Sequence, residues 1–551
     1  MSTVADVVAK RLSAFGVEVA FSLASIHNLP LLDALVRANI RLVLARHEQG
    51  VVHMADGYSR VSGKVGVAIT STGPGAGNAM GALLEAYSAS SRVLHFTGQI
   101  DSRFLDRRKG HQHEVEDQLS MLRTGSRRAY RVRRPEDALT TLASCFQYWR
   151  YGRPGPISVE IPIDIQSAPC DDPPSSSPIF LDPSYTSASL SAVAKLINSS
   201  KRPLIWAGGG AIASDCSQLV LDLVERTGAA VITTPNGRGV IPEDHPNCIG
   251  NFANLPHVRA FISEADCVLA LGTNFDWQGT DFWRVDLRAP LIQIDKDPDE
   301  LGRNYPVRFG IVGDCAGVLK SLVPLVSTRQ MDESYGKDVR SARKDSLTTI
   351  QDRVVLHQDI ISAVAEALPS TAVVVKDATI AAYAWANRLL PVLEPRSSIF
   401  ASLIAIGSGL PLAIGAGIAA PDRRILVIAG DGGFVSTGFE FLTAVQENLP
   451  VSVLVFNDGG YGVLREFENE QLDGRRVGVD LLSPSFAAFA SACGGLGFRP
   501  TNIEELRTSL EDAFRAARPS IIEIDMQSIF PVLPYTPAKP AQQSIGSSNG
   551  S

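Results

Sequence analysis

Residues 424–461 read RILVIAGDGGFVSTGFEFLTAVQENLPVSVLVFNDGGY. Two apolar runs, 425–429 and 451–456, flank a stretch of helical pattern. Each run ends in an acidic residue beside glycine: Asp431 in Gly430-Asp431-Gly432, and Asp458 in Asn457-Asp458-Gly459. The spacing predicts a β-α-β unit with both carboxylates at the C-terminal edge of a parallel sheet, the edge at which open α/β sheets bind ligands. Two hard oxygen ligands there suit Mg²⁺, which takes one or two carboxylates together with phosphate oxygens. Gly430, Gly432 and Gly433 let the backbone come close to a diphosphate, and the following helix N-terminus favours an anion. An ordinary β-α-β unit with Asp-Gly turns explains one such motif. It leaves the second acidic strand end unaccounted for.

Outward from this unit the chain alternates strand and helix patterns throughout. Strand-like runs fall at 17–23, 41–45, 65–71, 93–98 and 157–161, the last reading as a closing strand, with a long helix at 47–62. A Pro-, Ser- and Asp-rich linker occupies 169–187. Strand patterns resume at 203–207, 229–233, 267–271 and 291–294, and the charged stretch 330–346 reads as a surface connection. Repeated β-α alternation implies parallel sheets covered on both faces. The expected fold is α/β, with three doubly wound parallel-sheet domains in series at 1–168, 188–326 and 350–530. A polar tail at 534–551 is expected to be disordered.

Composition narrows the partners. A net charge of −7 over 551 residues, with no long basic run, speaks against nucleic acid and anionic membrane. No apolar stretch is long enough to span a bilayer, and the first residues lack a signal-peptide core, so a cytoplasmic location is expected. Seven scattered cysteines without a CxxC pair fit a reducing compartment and no zinc site.

Gly-Asp-Gly, an intervening helix and strand, then Asn-Asp resembles the thiamine diphosphate (ThDP) motif. With three α/β domains in series, the chain resembles the acetolactate synthase and benzaldehyde lyase-like ThDP enzymes over about residues 1–530. The resemblance implies a pyrimidine-binding first domain, a central domain and a diphosphate-binding third domain. It implies metal ligation by Asp431, Asp458 and the Gly460 carbonyl. Glu48, in ARHEQGVVHMADGY, resembles the family's catalytic glutamate. By itself a Glu in a first helical turn is ordinarily a capping or dipole residue. In the family this carboxylate bonds the pyrimidine N1′ and favours the imino tautomer, whose N4′ takes the proton from thiazolium C2.

The same resemblance extends to the loop STGPGAGN, implying cofactor contacts at Thr72, Gly73 and Asn78. Ile406, before Gly407 in IAIGSGLP, matches the bulky residue that bends the cofactor into a V. Tyr461 and Val463, with Leu464, fall where the family lines its pocket. His27 follows the first strand, at an offset where benzaldehyde lyase has a histidine. In KGHQHEVEDQ, His113 falls on one alignment over an active-site position, and a two-residue shift puts His111 there. An imidazole so placed shuttles a proton to substrate oxygen. His47 and His53 read as structural. In the central domain AGGGAIAS fits a dinucleotide fingerprint poorly, and the arginine and glycine-rich stretch of the FAD-binding relatives are missing. The reading therefore favours no FAD, with FAD as the alternative.

The function expected is a ThDP- and Mg²⁺-dependent carboligase that decarboxylates a 2-oxo acid such as pyruvate and passes the acyl unit to a carbonyl acceptor. The alternatives are a benzaldehyde lyase-like enzyme or a ring-diketone hydrolase. A non-catalytic ThDP-fold protein should lack Glu48, Asp431 or Asp458, and all three are present. A nicotinamide dehydrogenase needs a fingerprint that is absent. The family's sites lie between subunits, implying a homodimer or homotetramer.

Overall fold

The computed structural model describes residues 2–171, 187–329 and 332–536. Most of the expected linker and nearly all of the expected tail, 172–186 and 537–551, lie outside the described residues. The first sheet contains β1 (Val19–Ser22), β2 (Arg41–Leu44), β3 (Gly66–Thr70), β4 (Val93–Gln99), β5 (Arg128–Arg131) and β6 (Ile157–Pro162). The second contains β7 (Pro203–Ala207), β8 (Ala230–Thr233), β9 (Cys248–Gly250), β10 (Cys267–Leu271), β11 (Leu291–Asp295) and β12 (Phe309–Val312). The third contains β13 (Val373–Lys376), β14 (Ser398–Phe400), β15 (Ile425–Gly430), β16 (Val451–Asn457), β17 (Leu496–Phe498) and β18 (Ser520–Asp525). Each sheet has six strands, and the pairings within it are parallel. The fold is thus three parallel-sheet α/β units in series.

The first sheet runs β2-β1-β3-β4-β6-β5 and the third β14-β13-β15-β16-β18-β17, which is the same order twice. The central sheet runs β12-β11-β10-β7-β8-β9. In the outer sheets the order reverses between the first and third strands of the unit. Crevices for ligands open beyond the strand ends at such reversals. The loops placed there follow β1 and β3 in one sheet, and β13 and β15 in the other. These are the loops of His27, Thr72–Asn78, Asp377 and Asp431.

The two outer units share one hydrophobic core. It runs from Phe21, Val43 and Met54 through Leu412 and Ile414 to Val427 and Val453. At its centre the helix Glu48–Ser62 crosses the helix Gly409–Ala419. The crossing depends on two glycines: a Cβ on Gly57 would lie 2.0 Å from the Leu412 carbonyl oxygen, and one on Gly415 1.9 Å from that of Met54. The central unit keeps separate cores on the two faces of its sheet.

One local reading is corrected and two gain detail. Residues 157–161 form β6, the last strand of the first unit in chain order; it lies inside the sheet, whose edge is β5. Its sequence, RAYR, has no apolar run to announce it. The charged stretch expected as a surface connection is most of a 21-residue helix, Glu333–Arg353. Tyr335, Val339, Ala342 and Ile350 bury one stripe of it against the central domain at helical spacing, hidden in the sequence by the charges between them. The segment between β15 and β16 is broken into Asp431–Thr437, a 3₁₀ turn at Gly438–Glu440, and Phe441–Gln446. Among the described residues no helix is long and apolar enough to cross a membrane. Among the described residues no disulfide joins any of the seven cysteines.

Candidate active site

Asp431 and Asp458 stand at the ends of adjacent strands, β15 and β16, paired in register up to Gly430 and Phe456. Asp431 is 1% exposed. Its Oδ2 accepts a 2.8 Å hydrogen bond from the Ser483 hydroxyl, while its Oδ1 is buried without a hydrogen-bond partner. Asp458 Oδ1 likewise accepts no hydrogen bond, although the Arg465 guanidinium lies 3.3 Å away. Burial, followed by the neighbouring Asp431 carboxylate, pushes Asp458 up to about 6. Burial raises Asp431 as well. Two desolvated carboxylates with idle oxygens repel one another, and a hard divalent cation relieves exactly that cost.

A backbone carbonyl lies beside the same glycine turn. The turn through Gly459 and Gly460 has φ of +80° and +153°, values that side chains disfavour. A Cβ on Gly432 would lie 3.4 Å from the Gly460 carbonyl oxygen, so that carbonyl faces the Gly432 turn. Arg465 fastens the turn by donating to the carbonyls of Asp458 (2.8 Å) and Gly459 (2.6 Å). The residues present therefore fit a hard cation held by two carboxylates and one carbonyl. These groups open into a cavity of about 410 Å³, lined by Ile406, Gly430, Gly432, Gly433, Tyr461 and Val463 among others. Ile406 is 41% exposed and stands on the wall of this cavity. Its neighbour Gly407, at φ +81°, is held by Asp377, whose buried carboxylate accepts from the amides of Gly407 (3.0 Å) and Gly409 (3.1 Å).

The second cluster belongs to the first sheet. Glu48 opens its helix, 8% exposed, and its Oε2 accepts from the Asn78 amide at 3.0 Å. A Cβ on Gly75 would sit 2.8 Å from Glu48 Oε1, so the glutamate lies directly against the 71–78 loop. Gln118 supports that loop: its Oε1 accepts from the Gly73 amide (2.6 Å) and the Thr72 hydroxyl (2.8 Å), and its amide group donates to Glu160 (2.9 Å). Arg131 pairs with Glu160 behind it.

His27 and His113 meet at a ring-centroid distance of 5.2 Å. His27 is 2% exposed rather than a surface loop residue. The carbonyl of His113 abuts Gly73, where a Cβ would approach to 2.3 Å. His113 holds φ at +64°, strained for a residue with a side chain. His111 stacks on Phe104 instead, so of the two registers left open it is His113 that faces His27. Burial, then His113 and His111, lower the pKa of His27, keeping it neutral at pH 7. His53 is fully buried and neutral, pushed down to about 4 by burial.

Sequence reasoning passed over Asp377, Gln118 and Arg465. Each acts through a contact with another segment, and none sits in a local pattern that marks it. Among the described residues, the lining of the 410 Å³ cavity comes from 357–533 alone, so Glu48 does not share it within one chain. A separate cavity of about 310 Å³ lies where the three units meet, lined by Ser90 and Arg92, by Gly208–Gly210 and Gly272, and by Phe400 and Ser402.

Two sheets of identical strand order, one presenting paired carboxylates beside glycine turns, define a multidomain α/β enzyme with cofactor-binding crevices. Three family descriptions match in succession. They are the thiamine pyrophosphate enzyme N-terminal TPP binding domain over residues 2–121, the central domain over 190–322, and the C-terminal TPP binding domain over 380–524. A probable acetolactate synthase large subunit of Methanocaldococcus jannaschii is 30% identical over 553 residues, covering 96% of this chain and 93% of the relative. A probable 2-ketoarginine decarboxylase, AruI, of Pseudomonas aeruginosa is 33% identical over 530 residues, covering 95% and 94%. An acetolactate synthase of Mycobacterium bovis is 30% identical over 577 residues, covering 100% and 92%. The chain belongs to the thiamine pyrophosphate-dependent enzymes of the acetolactate synthase type.

Proposed function

We propose that this enzyme uses ThDP and Mg²⁺, without FAD, to decarboxylate a 2-oxo acid such as pyruvate and transfer the acyl group to a carbonyl acceptor. The observation that carries the reading is the pair of carboxylates, buried Asp431 and half-buried Asp458, each with an oxygen that accepts no hydrogen bond. Asp431, Asp458 and the Gly460 carbonyl are assigned to the metal. Gly430, Gly432 and Gly433 take the diphosphate. Ile406, Gly407, Tyr461 and Val463 shape the cofactor's bed, and Thr72, Gly73 and Asn78 border its pyrimidine. When bound, ThDP supplies the nucleophilic carbon and the electron sink.

The protein's own groups position and move protons. Glu48, oriented by Asn78, would present its carboxylate to the pyrimidine of bound ThDP as the proton-exchanging group. His27 and His113 exchange a proton with the substrate oxygen from beside Gly73. Replacing either by Ala is expected to lower kcat about 10²-fold or more, the scale of lost acid–base catalysis, with ThDP affinity unchanged. Steady-state kinetics beside a ThDP titration checks this, and equal losses in both would reassign the pair to cofactor binding.

Because the metal cavity contains no residue of the first unit, we propose sites between subunits of a homodimer or homotetramer, with Glu48 and Asp431 from different chains. Inactive Glu48→Gln and Asp431→Ala proteins, mixed as subunits, should then recover activity, at most about a quarter of wild type by random pairing of two complementary halves. Absence of recovery in mixed oligomers shown to form by native mass spectrometry would sink the shared-site arrangement.

The cytoplasm is the proposed compartment. A second reading, decarboxylation with a proton as acceptor, is favoured by the imidazole pair and by the likeness to a 2-ketoarginine decarboxylase. NMR of products from pyruvate and longer 2-oxo acids, with and without an added aldehyde, separates the two. A mixed acyloin formed only with the aldehyde supports carboligation, and a simple aldehyde product supports the second reading. No consumption of any 2-oxo acid by the ThDP- and Mg²⁺-loaded protein overturns both.

A further inference from the structure

Glu440 is a carboxylate that no part of the mechanism uses, yet it is 2% exposed. It lies nine positions after Asp431, in the 3₁₀ turn that breaks the β15–β16 connection. Its partners are not in its own unit. Oε1 accepts from the backbone amides of Arg46 and His47, both at 3.0 Å, and Oε2 lies 3.1 Å from the Arg46 amide. The Thr443 hydroxyl donates to Oε2 at 2.9 Å. Arg46 and His47 are the two residues immediately before Glu48. A buried carboxylate of the third unit thus ends the strand-to-helix turn that delivers Glu48.

The neighbouring contacts reinforce the grip. The Thr443 hydroxyl also lies 3.1 Å from the Leu44 carbonyl. The Arg46 guanidinium donates to the Gln446 side chain at 2.8 Å, and Arg41 pairs with Glu447. Residue 50 has to be glycine for the carboxylate to enter: a Cβ there would meet Glu440 Oε1 at 2.0 Å. Charge-assisted bonds to backbone amides are short and directional, about twice as strong as neutral ones. Two adjacent amides held by one carboxylate, the Arg46 N–H shared between its two oxygens, therefore fix where the helix begins. The energy of such a site is recovered only if all its partners are present, because a half-satisfied buried carboxylate is costly.

We propose that Glu440 is a positioning residue for Glu48, fixing from the diphosphate-binding unit the turn at Arg46–His47 and hence the place of the Glu48 carboxylate. The proposal rests on the assignment of Glu48 above. A glutamine at 440 keeps the volume but turns an NH₂ donor toward amide N–H groups, so it loses half of the acceptor set.

The test uses the full-length protein. Glu440→Gln is expected to speed hydrogen–deuterium exchange in the peptide spanning 44–50 of the cofactor-free protein, with Tm within a few degrees of wild type. In the same variant, deuterium exchange at C2 of bound ThDP, followed by NMR, should slow about 10²-fold, the cost of misplacing a catalytic group by about 1 Å. ThDP affinity should change far less. Gly50→Ala, which displaces the carboxylate while leaving Glu440 in the sequence, should give the same pair of changes should Glu440→Gln fold poorly. Glu48→Gln is the reference. If Glu48→Gln itself exchanges C2 at the wild-type rate, the assignment of Glu48 fails. If Glu48→Gln is slow while Glu440→Gln and Gly50→Ala match wild type in either readout, the positioning role fails and Glu48 keeps its own.

Discussion

Glu48→Gln is expected to lower kcat by about 10²–10⁴-fold, the range measured for removal of a general acid–base group, with ThDP and Mg²⁺ still bound. The substitution is nearly isosteric, and Glu48 sits in a tight setting between Asn78 and Gly75. An amide of the same shape keeps the fold but cannot take a proton at physiological pH. The loss should therefore appear in kcat, with a modest change in ThDP affinity measured by tryptophan quenching. Loss of affinity in proportion to kcat would mean that Glu48 anchors the cofactor rather than working on it. Turnover near the wild-type value would remove Glu48 from the mechanism.

Asp431→Asn and Asp458→Asn are expected to weaken Mg²⁺ binding by more than about 100-fold, since even residues that only orient metal ligands cost 10–100-fold. Cofactor retention should fall with the metal, and metal analysis after gel filtration with ThDP reads both. The apo protein should respond in the opposite sense. Asp458 is raised to about 6 by burial and by Asp431, so at pH 7 its charged form is strained in the folded state. Removing that charge should leave the Tm of the metal-free protein unchanged or higher. Mg²⁺ with ThDP should raise the Tm of wild type, which binds them only when folded, and not that of the variants. A variant that loses stability without metal yet still gains it on adding Mg²⁺ would show that the carboxylates are structural, with the ion bound elsewhere.

The parts of the site that were readable in the sequence share one property: each is announced locally. Asp431 and Asp458 end continuous apolar strands beside glycine, so strand period and turn chemistry suffice to place them at one sheet edge. Glu48, at a helix start after a strand, and Gly73, in a glycine-rich loop, have ordinary local settings, and their roles came from the family resemblance. Ile406 and Tyr461 came by resemblance, because an apolar or aromatic side chain at those places looks ordinary on its own.

The sequence by itself determined the fold class, the three units and the two acidic strand ends, because alternating apolar periodicity and turn residues act over ten or fewer neighbours. Only the tertiary structure decided which residues hold those groups in place. Glu440 grips Arg46 from 394 positions away, Gln118 clasps Gly73 across 45, and Asp377 pins Gly407 across 30. It also decided that His113 rather than His111 faces His27, in a loop without periodicity that turns through left-handed backbone at Asp106, Arg108, Gly110 and His113. Such contacts follow from how packed units bring their strand ends together. A buried carboxylate or amide finds its partners in space, and nothing in its own stretch of chain records where they are.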